Sequence, residues 1–514
     1  MNFIKFSYNF KNNRPGSADG VITLSGFGKF TDPNATVTFY WGMDFSGGVM
    51  PLPDYTPIAT ISAGLAADGY VIDKGLCIPR GAVAVLAEIC GTECDGVATF
   101  TLPDEKLPAP NEKPLYTVGF ASDFHLGGWG SERAPKEGLM KARDGFNRLA
   151  DFLVTEGDLV QWHGCYSGEE FRKYNFNRET GKWGDNGERD PGFVETGLSQ
   201  WDLLDEYLSG FTIPVYHSQG NHDIIDEEHW SPVCGNRDYF GEFLTRWIRQ
   251  SEKDGKYETA IHRDERVHYY ATSVKGHKFV FTEAPHPHPP HHTVGKEELE
   301  WLDRVLFDGE ESGKPIFVMG HSPIDPRLNK KTAYADFTDL EEMRAVLDRH
   351  PTVIYVSGHS HFTLDTPLKN AIDGGQEKAS HLHNGGMTTI IDPPPMTQYN
   401  VTHGTVAEVY GDRILIRGRD FTAERWISLA ECEMIFKRPC EVTSLAIASE
   451  IADGEHTLLA KCDFEAVERY EWYLNGELIS DRKSITIRSH THGYIALRVR
   501  DKKGGFRSVL FPLD

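Results

Sequence analysis

The chain has 514 residues, of which 76 are acidic and 53 basic, and its formal net charge at pH 7 is −23. Nucleic-acid polymers and anionic membranes are bound by basic surfaces, so this balance argues against both as partners. A small anionic substrate stays possible, because bound cations can reverse the field locally. The length favours about three domains.

Targeting signals and cysteines narrow the class further. No apolar run reaches the roughly 18 residues that a membrane span needs, and the first ten residues lack the apolar stretch of a secretory signal. The eight cysteines form no C-x-x-C pair, so any metal site would use oxygen and nitrogen ligands. The cytoplasm is therefore the predicted compartment, and export of a chain whose leader has been removed stays open.

Residues 1–112 are predicted to form a β-sandwich domain. Short apolar or alternating runs such as Ala35–Trp41 and Gly81–Ile89 lie between Gly, Pro and Asp clusters, with no long helical period. Short strands at this spacing are typical of a sandwich. The proline-rich segment Leu107–Pro114 is predicted to be an extended linker that ends this domain.

Residues 113–435 change to an alternation of strands and helices, which predicts a layered α/β domain. Four segments have apolar residues at helical spacing: Leu139–Phe152, Gln200–Leu208, Glu297–Leu306 and Leu340–Leu347. Five short β-branched or aromatic runs are predicted strands: Leu115–Phe120, Phe152–Thr155, Ile213–Tyr216, Ile316–Met319 and Val353–Val356. In such domains the loops at the carboxyl ends of the strands hold the chemistry.

Residues 436–514 are predicted to form a third, all-β domain. Cys462 is followed ten residues later by Trp472, and Tyr494 begins another apolar run. This pattern resembles an immunoglobulin-like sandwich, with Trp472 in the core and Tyr494 as the tyrosine corner. Ala496 occupies the position of the second cysteine, so the usual disulfide between the sheets is not expected.

Each of the five predicted strands in the middle domain ends in a polar motif. The motifs are Ser122-Asp-Phe-His125, Glu156-Gly-Asp-Leu-Val160, Ser218-Gln-Gly-Asn-His-Asp223, Met319-Gly-His-Ser322 and Ser357-Gly-His-Ser-His361. Carboxylate, imidazole and amide groups delivered together at strand ends favour a site for two metal ions. Taken singly, each motif has an ordinary alternative as a turn, a cap or a packed histidine.

The order D-x-H, G-D, G-N-H-D, G-H and G-H-x-H resembles that of the calcineurin-like metallophosphoesterases, over roughly Leu115 to Asp420. The resemblance implies a β-sandwich flanked by helices and a dinuclear centre. It implies that the first metal is held by Asp123, His125 and His361, and that the second is held by Asn221, His321 and His359. Asp158 would bridge the two.

The resemblance also implies roles for the rest of the turn. His222 and Asn221 would contact the phosphate, and His222 would protonate the leaving alkoxide. Asp223 would orient His222 by accepting its other ring N–H. The attacking group would be a hydroxide held between the metals, in line with the leaving group.

The identity of the metals is partly constrained by what the sequence lacks. Purple acid phosphatases resemble this family, and their ferric ion takes a tyrosine three residues after the bridging aspartate. That position is Gln161 here, so two divalent ions are expected, with Mn²⁺, Zn²⁺ and Fe²⁺ left open.

The histidine-dense segment 285–292 is a further candidate. It is interpreted as an extended proline-rich connection, with the alternative that His286 reaches the substrate phosphate. Trp162 and His163, directly after the second motif, either wall the pocket or pack in an ordinary loop.

The predicted function is hydrolysis of phosphoric esters. A phosphodiesterase acting on a small-molecule or nucleotide-type substrate is favoured, and a phosphomonoesterase of the same family is the alternative. A different class also stays open, in which the middle domain is inert and the sandwiches bind a glycan or a partner. Decayed motifs would be expected in that case, whereas every ligand position is filled.

Overall fold

The structure is a computed structural model. It describes residues 5–10, 20–25, 35–45, 48–51, 57–62, 71–76, 84–90, 96–101, 113–126, 136–160, 176–177, 182–183, 193–223, 238–283, 294–310, 314–324, 341–361, 364, 371–372, 378–387, 390–392, 397–399, 401–435, 440–463, 465–502 and 505–513. None of the helices in these ranges is long and apolar enough to cross a membrane.

The first part of the chain consists of β-strands in the ranges that the structure describes. The strands are β1 Lys5–Phe10, β2 Gly20–Ser25, β3 Thr36–Phe45, β4 Gly48–Pro51, β5 Ala59–Ser62, β6 Val71–Leu76, β7 Ala84–Cys90 and β8 Gly96–Thr101. They form an antiparallel sheet in the order β1-β2-β6 and a second in the order β4-β3-β7-β8, with β5 paired to β3. The predicted β structure is present, and its packing as a sandwich stays a prediction.

The middle of the chain alternates strands with helices. The helices are α1 Lys136–Leu149, α2 Phe193–Ser209, α3 Tyr239–Asp254, α4 Lys296–Glu310 and α5 Glu341–Asp348. The strands are β9 Tyr116–Ala121, β10 Phe152–Glu156, β11 Phe176–Asn177, β12 Lys182–Trp183, β13 Val215–Ser218, β14 Tyr270–Val274, β15 His277–Phe281, β16 Ile316–Met319, β17 Val353–Ser357, β18 Ala371–Ile372, β19 Ser380–His383, β20 Ile390–Asp392, β21 Thr397–Tyr399, β22 His403–Val409, β23 Arg413–Asp420 and β24 Arg425–Ile435.

Two six-stranded sheets build the layers of this part, in the orders β13-β10-β9-β22-β23-β24 and β14-β15-β16-β17-β19-β18. Strands β13, β10 and β9 are parallel in the first sheet, and β15, β16, β17 and β19 are parallel in the second. Aromatic side chains join the two sheets, with the rings of Phe152 and Phe279 5.4 Å apart and those of Phe120 and Phe317 6.1 Å apart. Parallel strands buried on both faces explain the continuous apolar runs in the sequence.

Helix α1 packs closely on the outer face of the first sheet. A Cβ added at Gly119 on β9 would lie 2.6 Å from the ring of Phe146 on α1. The glycine therefore allows the helix to approach the strand whose end carries Asp123.

The predicted strands and helices of this part are present, with ends shifted by a few residues, but α3 and the hairpin β14–β15 were not predicted. Asp238 caps α3, with its side chain accepting a hydrogen bond from Gly241 N. Phe240, Phe243 and Leu244 are buried at helical spacing, so the signal was present. The hairpin turns at Lys275 and Gly276, which both have positive φ.

The last part of the chain is a compact β unit of two sheets. Its strands are β25 Leu445–Ala452, β26 Glu455–Cys462, β27 Val467–Leu474, β28 Glu477–Ser480, β29 Ser484–Arg488, β30 Gly493–Asp501 and β31 Phe506–Leu513. They pair as β25-β26-β29 and β28-β27-β30-β31. Trp472 lies fully buried in the core between them, as predicted.

The interpretation of Tyr494 as a tyrosine corner is wrong. Its hydroxyl donates to Asp303 on α4, in the preceding part of the chain. A tyrosine corner bonds back to nearby backbone within its own domain. Tyr494 instead joins the last β unit to α4 in the middle part of the chain.

Candidate metal centre

Two groups of side chains, all buried except the partly buried His361, meet where the strands end, and they share Asp158. One group contains Asp123, His125, Asp158 and His361, and the other contains Asp158, His321 and His359. Within each group the candidate ligand atoms lie within 4.8 Å of one another. Six of the seven predicted ligands are thus brought together from four separate strand ends.

The first group is tightly packed around its nitrogen and oxygen atoms. His125 Nε2 lies 3.0 Å from His361 Nε2 and 3.6 Å from Asp158 Oδ2. His361 Nε2 lies 3.2 Å from Asp123 Oδ1. Such short separations between lone-pair donors are what a shared cation at their centre would explain.

The second group lies on the other side of Asp158. His321 Nε2 is 3.1 Å from Asp158 Oδ2 and 3.1 Å from His359 Nδ1. His321 Nδ1 is 2.6 Å from the backbone oxygen of Glu156. Nδ1 can donate its proton to that carbonyl, so Nε2 faces Asp158: it donates to the carboxylate when protonated, and it offers a lone pair to a cation when that proton is lost.

Asn221, the seventh predicted ligand, lies in the turn beside Asp158. The turn is held there by a hydrogen bond of 2.7 Å from His222 N to Asp158 Oδ1. Asn221 Oδ1 is buried and accepts no hydrogen bond from the described residues. A buried amide oxygen without a donor is costly unless a ligand satisfies it, and a metal ion would do so.

The backbone is strained at these positions. Nine described residues other than glycine have positive φ, and five of them are candidate ligands: Asp123 (59°), His125 (45°), Asp158 (53°), His359 (73°) and His361 (55°). Left-handed backbone costs a non-glycine residue roughly 1–2 kcal/mol. Strain of this kind clusters at functional sites, where the surrounding structure holds it in place.

Two glycines bring the second and third motifs into contact. A Cβ on Gly157, where φ is 86°, would lie 2.4 Å from Gly220 N. A Cβ on Gly220 would lie 2.1 Å from Asp158 N. Neither turn can move without displacing the other, which fixes Asp158 relative to Asn221.

The electrostatics favour ionised carboxylates at the centre of the cluster. Burial opposes ionisation of Asp158, but the charges of His321 and His222 outweigh it and hold the pKa of Asp158 well below its usual range. Burial also opposes ionisation of Asp123, yet the charge of His361 lowers the pKa of Asp123.

The histidines divide into two kinds. Burial and the charge of His321 lower the pKa of His359 to about 3, and burial with the charge of His361 lowers the pKa of His125 well below its usual value. For His321, burial acts in the same direction but the charge of Asp158 outweighs it and raises the pKa to about 9. Two neutral imidazoles are therefore available as electron-pair donors.

These residues fit a pair of divalent cations. Asp123 and Asp158 are 0 % and 1 % exposed, and buried carboxylates need a compensating charge. Oxygen and imidazole nitrogen ligands suit Mn²⁺, Zn²⁺ or Fe²⁺. One carboxylate shared by two ligand groups is the arrangement that two neighbouring ions require.

The predicted contact between Asp223 and His222 is wrong. Asp223 is buried, and its oxygens accept hydrogen bonds from Gly220 N at 2.8 Å, Leu159 N at 2.9 Å and Val160 N at 3.2 Å. The carboxylate therefore ties the two turns together and does not bond to the imidazole. The reason is the close approach of the two turns, which brings the backbone amides of Leu159 and Val160 within reach of its oxygens.

His222 lies at the edge of the cluster, partly buried, with its ring 4.7 Å from that of His125 in an edge-to-face arrangement. This position beside the candidate ligands is consistent with a role outside the metal shell. His286, Trp162 and His163 lie outside the described residues.

Sequence reasoning missed a polar layer directly beneath the site. Asn384 donates to Glu156 Oε2 at 3.1 Å and accepts from Thr405 Oγ1 at 2.8 Å. His383 bonds to Ser360, which lies between His359 and His361. All of these side chains are buried. The run His381-Leu-His-Asn384 at the end of β19 was the signal, because polar residues are unusual in a buried strand.

The fold and the site together define a class of protein. Residues 116–362 match the model of the calcineurin-like phosphoesterase family. The resemblance seen in the sequence is thereby confirmed.

Curated relatives match a shorter part of the chain. The chain is 28 % identical over 129 residues to a manganese-dependent ADP-ribose/CDP-alcohol diphosphatase of Arabidopsis thaliana, a match covering 25 % of the chain and 36 % of the relative. The protein of the same name from Homo sapiens is 26 % identical over 132 residues, covering 25 % of the chain and 34 % of the relative. The chain thus spans about a third of the length of these curated relatives.

A solved structure gives a weaker likeness. A dimetal phosphatase from Danio rerio is 16 % identical, covers 63 % of this chain and 100 % of its own, and aligns with a TM-score of 0.39. At that TM-score the likeness adds nothing to the account of the fold or the function.

Proposed function

We propose that the protein is a metal-dependent phosphoric ester hydrolase that acts on a small-molecule or nucleotide-type substrate with a diester phosphorus. The observation that carries the proposal is the sharing of Asp158 between two buried groups of candidate ligands. Structural sites seldom need two adjacent cations, whereas paired ions about 3.5–4 Å apart recur in enzymes that transfer phosphoryl groups.

The relatives favour the diester side of this proposal. They are named as diphosphatases of ADP-ribose and CDP-alcohols, and each phosphorus of a diphosphate linkage in such molecules carries two ester or anhydride bonds. The relatives are also named as manganese-dependent, so Mn²⁺ is the first metal to test. The phosphomonoesterase alternative differs only in the substrate's second substituent.

The proposed roles follow from the positions of the residues. Asp123, His125 and His361 would hold one ion, and Asn221, His321 and His359 the other, with Asp158 common to both. The bound ions would act as Lewis acids on the phosphoryl oxygens and on water. His222 would donate a proton to the leaving oxygen from beside the ligands. Asp223 would hold the turns of Asp158 and Asn221 together through the hydrogen bonds that its carboxylate accepts from three backbone amides.

The flanking parts extend the proposal. Seven strands in two sheets around a fully buried Trp472 support an immunoglobulin-like sandwich for residues 436–514. Residues 1–112 would be a second sandwich, and residues 113–435 the catalytic domain between them.

The test compares hydrolysis of bis-p-nitrophenyl phosphate, p-nitrophenyl phosphate and ADP-ribose, each with Mn²⁺ and with a chelator. We expect turnover that needs the metal and is faster with the two diester-type substrates. Preference for the monoester would move the assignment to the phosphomonoesterase alternative. No turnover of any substrate by protein that has bound Mn²⁺ would contradict an enzymatic function.

A further inference from the structure

Three polar side chains, those of Gln219, His268 and Asp238, form a hydrogen-bonded series from the turn of Asn221 to the beginning of α3. Gln219 Nε2 lies 3.0 Å from His268 Nδ1, and His268 Nε2 lies 2.7 Å from Asp238 Oδ2. Gln219 is only 3 % exposed. Neither His268 nor Asp238 belongs to any of the five motifs.

The carboxylate of Asp238 sets the direction of the hydrogen bond between His268 and Asp238. Burial opposes ionisation of Asp238, but hydrogen bonds from His268 and Gly241 outweigh it and lower the pKa of Asp238. An ionised carboxylate only accepts, so His268 Nε2 carries the proton and donates to it. In the neutral imidazole the other ring nitrogen is then an acceptor, and it takes the amide N–H of Gln219.

His268 is held from several sides. Its backbone N donates to Glu283 Oε1 at 2.6 Å, and its ring meets that of Phe240 edge-on at 5.5 Å. Asp238 in turn accepts from Gly241 N at 2.7 Å, which anchors it to the first turn of α3. These contacts hold the imidazole in one position.

Gln219, at the other end of the hydrogen-bonded series, directly precedes a turn that has no room to move. Gly220, the residue after Gln219, approaches Asp158 so closely that an added Cβ would lie 2.1 Å from Asp158 N. A shift of Gln219 must therefore be passed to Asn221 and His222, the residues that follow. An error of about 1 Å in the placement of a reacting group can cost a hundredfold in rate.

We propose that His268 is a positioning residue that aligns His222 through Gln219, with Asp238 setting its tautomer. This inference rests on the proposed function, because it assumes that His222 delivers a proton to the leaving group. His268 itself has both ring nitrogens bonded to protein and would not touch the substrate.

The experiment uses the full chain with Mn²⁺ and a series of aryl phosphodiesters whose leaving groups span a range of pKa. The variant His268→Ala is compared with His268→Gln, whose amide can donate to Asp238 and accept from Gln219. His262→Ala, which alters an exposed histidine six residues earlier in the chain, is the matched control. The readouts are kcat, KM, bound Mn²⁺ per chain, and the slope of log kcat against leaving-group pKa.

We expect His268→Ala to lower kcat by roughly 10- to 100-fold, with KM and bound Mn²⁺ unchanged and a steeper slope against leaving-group pKa. His268→Gln should recover most of kcat, and His262→Ala should match the wild type. If His268→Ala does not fold, Gln219→Met removes the hydrogen bond to His268 without altering α3, and it should give the same steeper slope.

Two results would overturn the inference. One is a His268→Ala protein with wild-type kcat and slope. The other is a fall in kcat that only follows the folded fraction, with the slope unchanged, which would show a purely structural role. Absence of metal-dependent turnover in the wild type would remove the proposed function and this inference with it.

Discussion

Asp158 is the residue on which the whole site converges. Its carboxylate lies 3.1 Å from His321 Nε2 and 3.6 Å from His125 Nε2, one from each ligand group. It also accepts the backbone N–H of His222 at 2.7 Å. Under the proposed function its negative charge and its position between the groups are both needed, because each of the two proposed ions would otherwise lose a ligand.

The first prediction concerns Asp158→Asn, which keeps the shape and removes the charge. Loss of partners that only orient a metal ligand costs 10- to 100-fold in metal affinity or activity, so loss of a shared ligand should cost more than about 100-fold in both. Bound Mn²⁺ and turnover are measured on the same samples. Full metal content with full activity would contradict the role of Asp158.

The second prediction separates His222 from the ligands. His222→Ala should retain bound Mn²⁺ and lose roughly 10²- to 10⁴-fold in turnover, as expected for removal of a general acid. The loss should be largest with poor leaving groups, which depend most on protonation. If His222→Ala loses its metals instead, His222 is a ligand and not the acid.

At the scale of secondary-structure elements, the site depends on the tight packing of the two turns that follow β10 and β13. Strands β10 and β13 are parallel neighbours, so the turns after them run side by side. Gly157 and Gly220 let the two backbones touch, and Asp223 fastens them through three amides. The strained backbone of Asp158 persists because of these contacts.

The third prediction tests this packing. Gly220→Ala should destabilise the chain by about 1–3 kcal/mol or more, because the methyl group overlaps Asp158 N, and it should also weaken Mn²⁺ binding. Gly411→Ala is the control, since nothing lies within 4 Å of a Cβ added there. Urea unfolding and Mn²⁺ titration of both variants provide the comparison. Equal behaviour of the two variants would show that the turns have room to adjust.

The sequence predicts the site better than it predicts the connections around it. Motifs at strand ends and apolar periodicity located the candidate ligands and four of the five described helices in the middle part of the chain, because both signals are local. The partners of Asp223 could not be predicted, since they depend on how closely two separate turns approach. The same holds for the bond between Gln219 and His268, which joins segments about fifty residues apart.

At the scale of the whole molecule, the last β unit is joined to the middle part of the chain by a buried polar network. Arg498 on β30 makes two hydrogen bonds of 2.8 Å to the carboxylate of Glu310 on α4. His350 lies 2.9 Å from Glu310 Oε1 and 3.1 Å from Asp303 Oδ1. All four side chains are almost completely buried, which is typical of a fixed interface and not of a flexible tether.

The fourth prediction concerns the ion pair in this interface. Arg498→Ala leaves the buried Glu310 carboxylate without its counter-ion and should cost about 3–5 kcal/mol of stability. Arg246→Ala, which removes an ion pair with Asp205 that is exposed on both sides, should cost no more than about 1 kcal/mol. Chemical denaturation measures both. Similar losses would mean that the interface adds little to stability.

The fifth prediction is a dependence on acid. Burial opposes ionisation of Asp303, but hydrogen bonds and charge from His350 and Arg349 lower its pKa to about 2, below the roughly 3.9 of an unfolded chain. The unfolded chain therefore binds more protons between those values, and the contribution of about 2–3 kcal/mol is lost as pH falls from about 4 to 2. Unfolding free energies measured from pH 6 to pH 2.5 should fall more steeply for the wild type than for Asp303→Asn. Parallel curves would contradict this.

The most direct test of the central claim is diffraction from crystals grown with Mn²⁺, with anomalous differences recorded at the manganese edge. The account predicts two peaks about 3.5–4 Å apart, both within bonding distance of the Asp158 carboxylate, one beside His125 and His361 and the other beside His321 and His359. A single peak, or two peaks of which one lies away from Asp158, would contradict it.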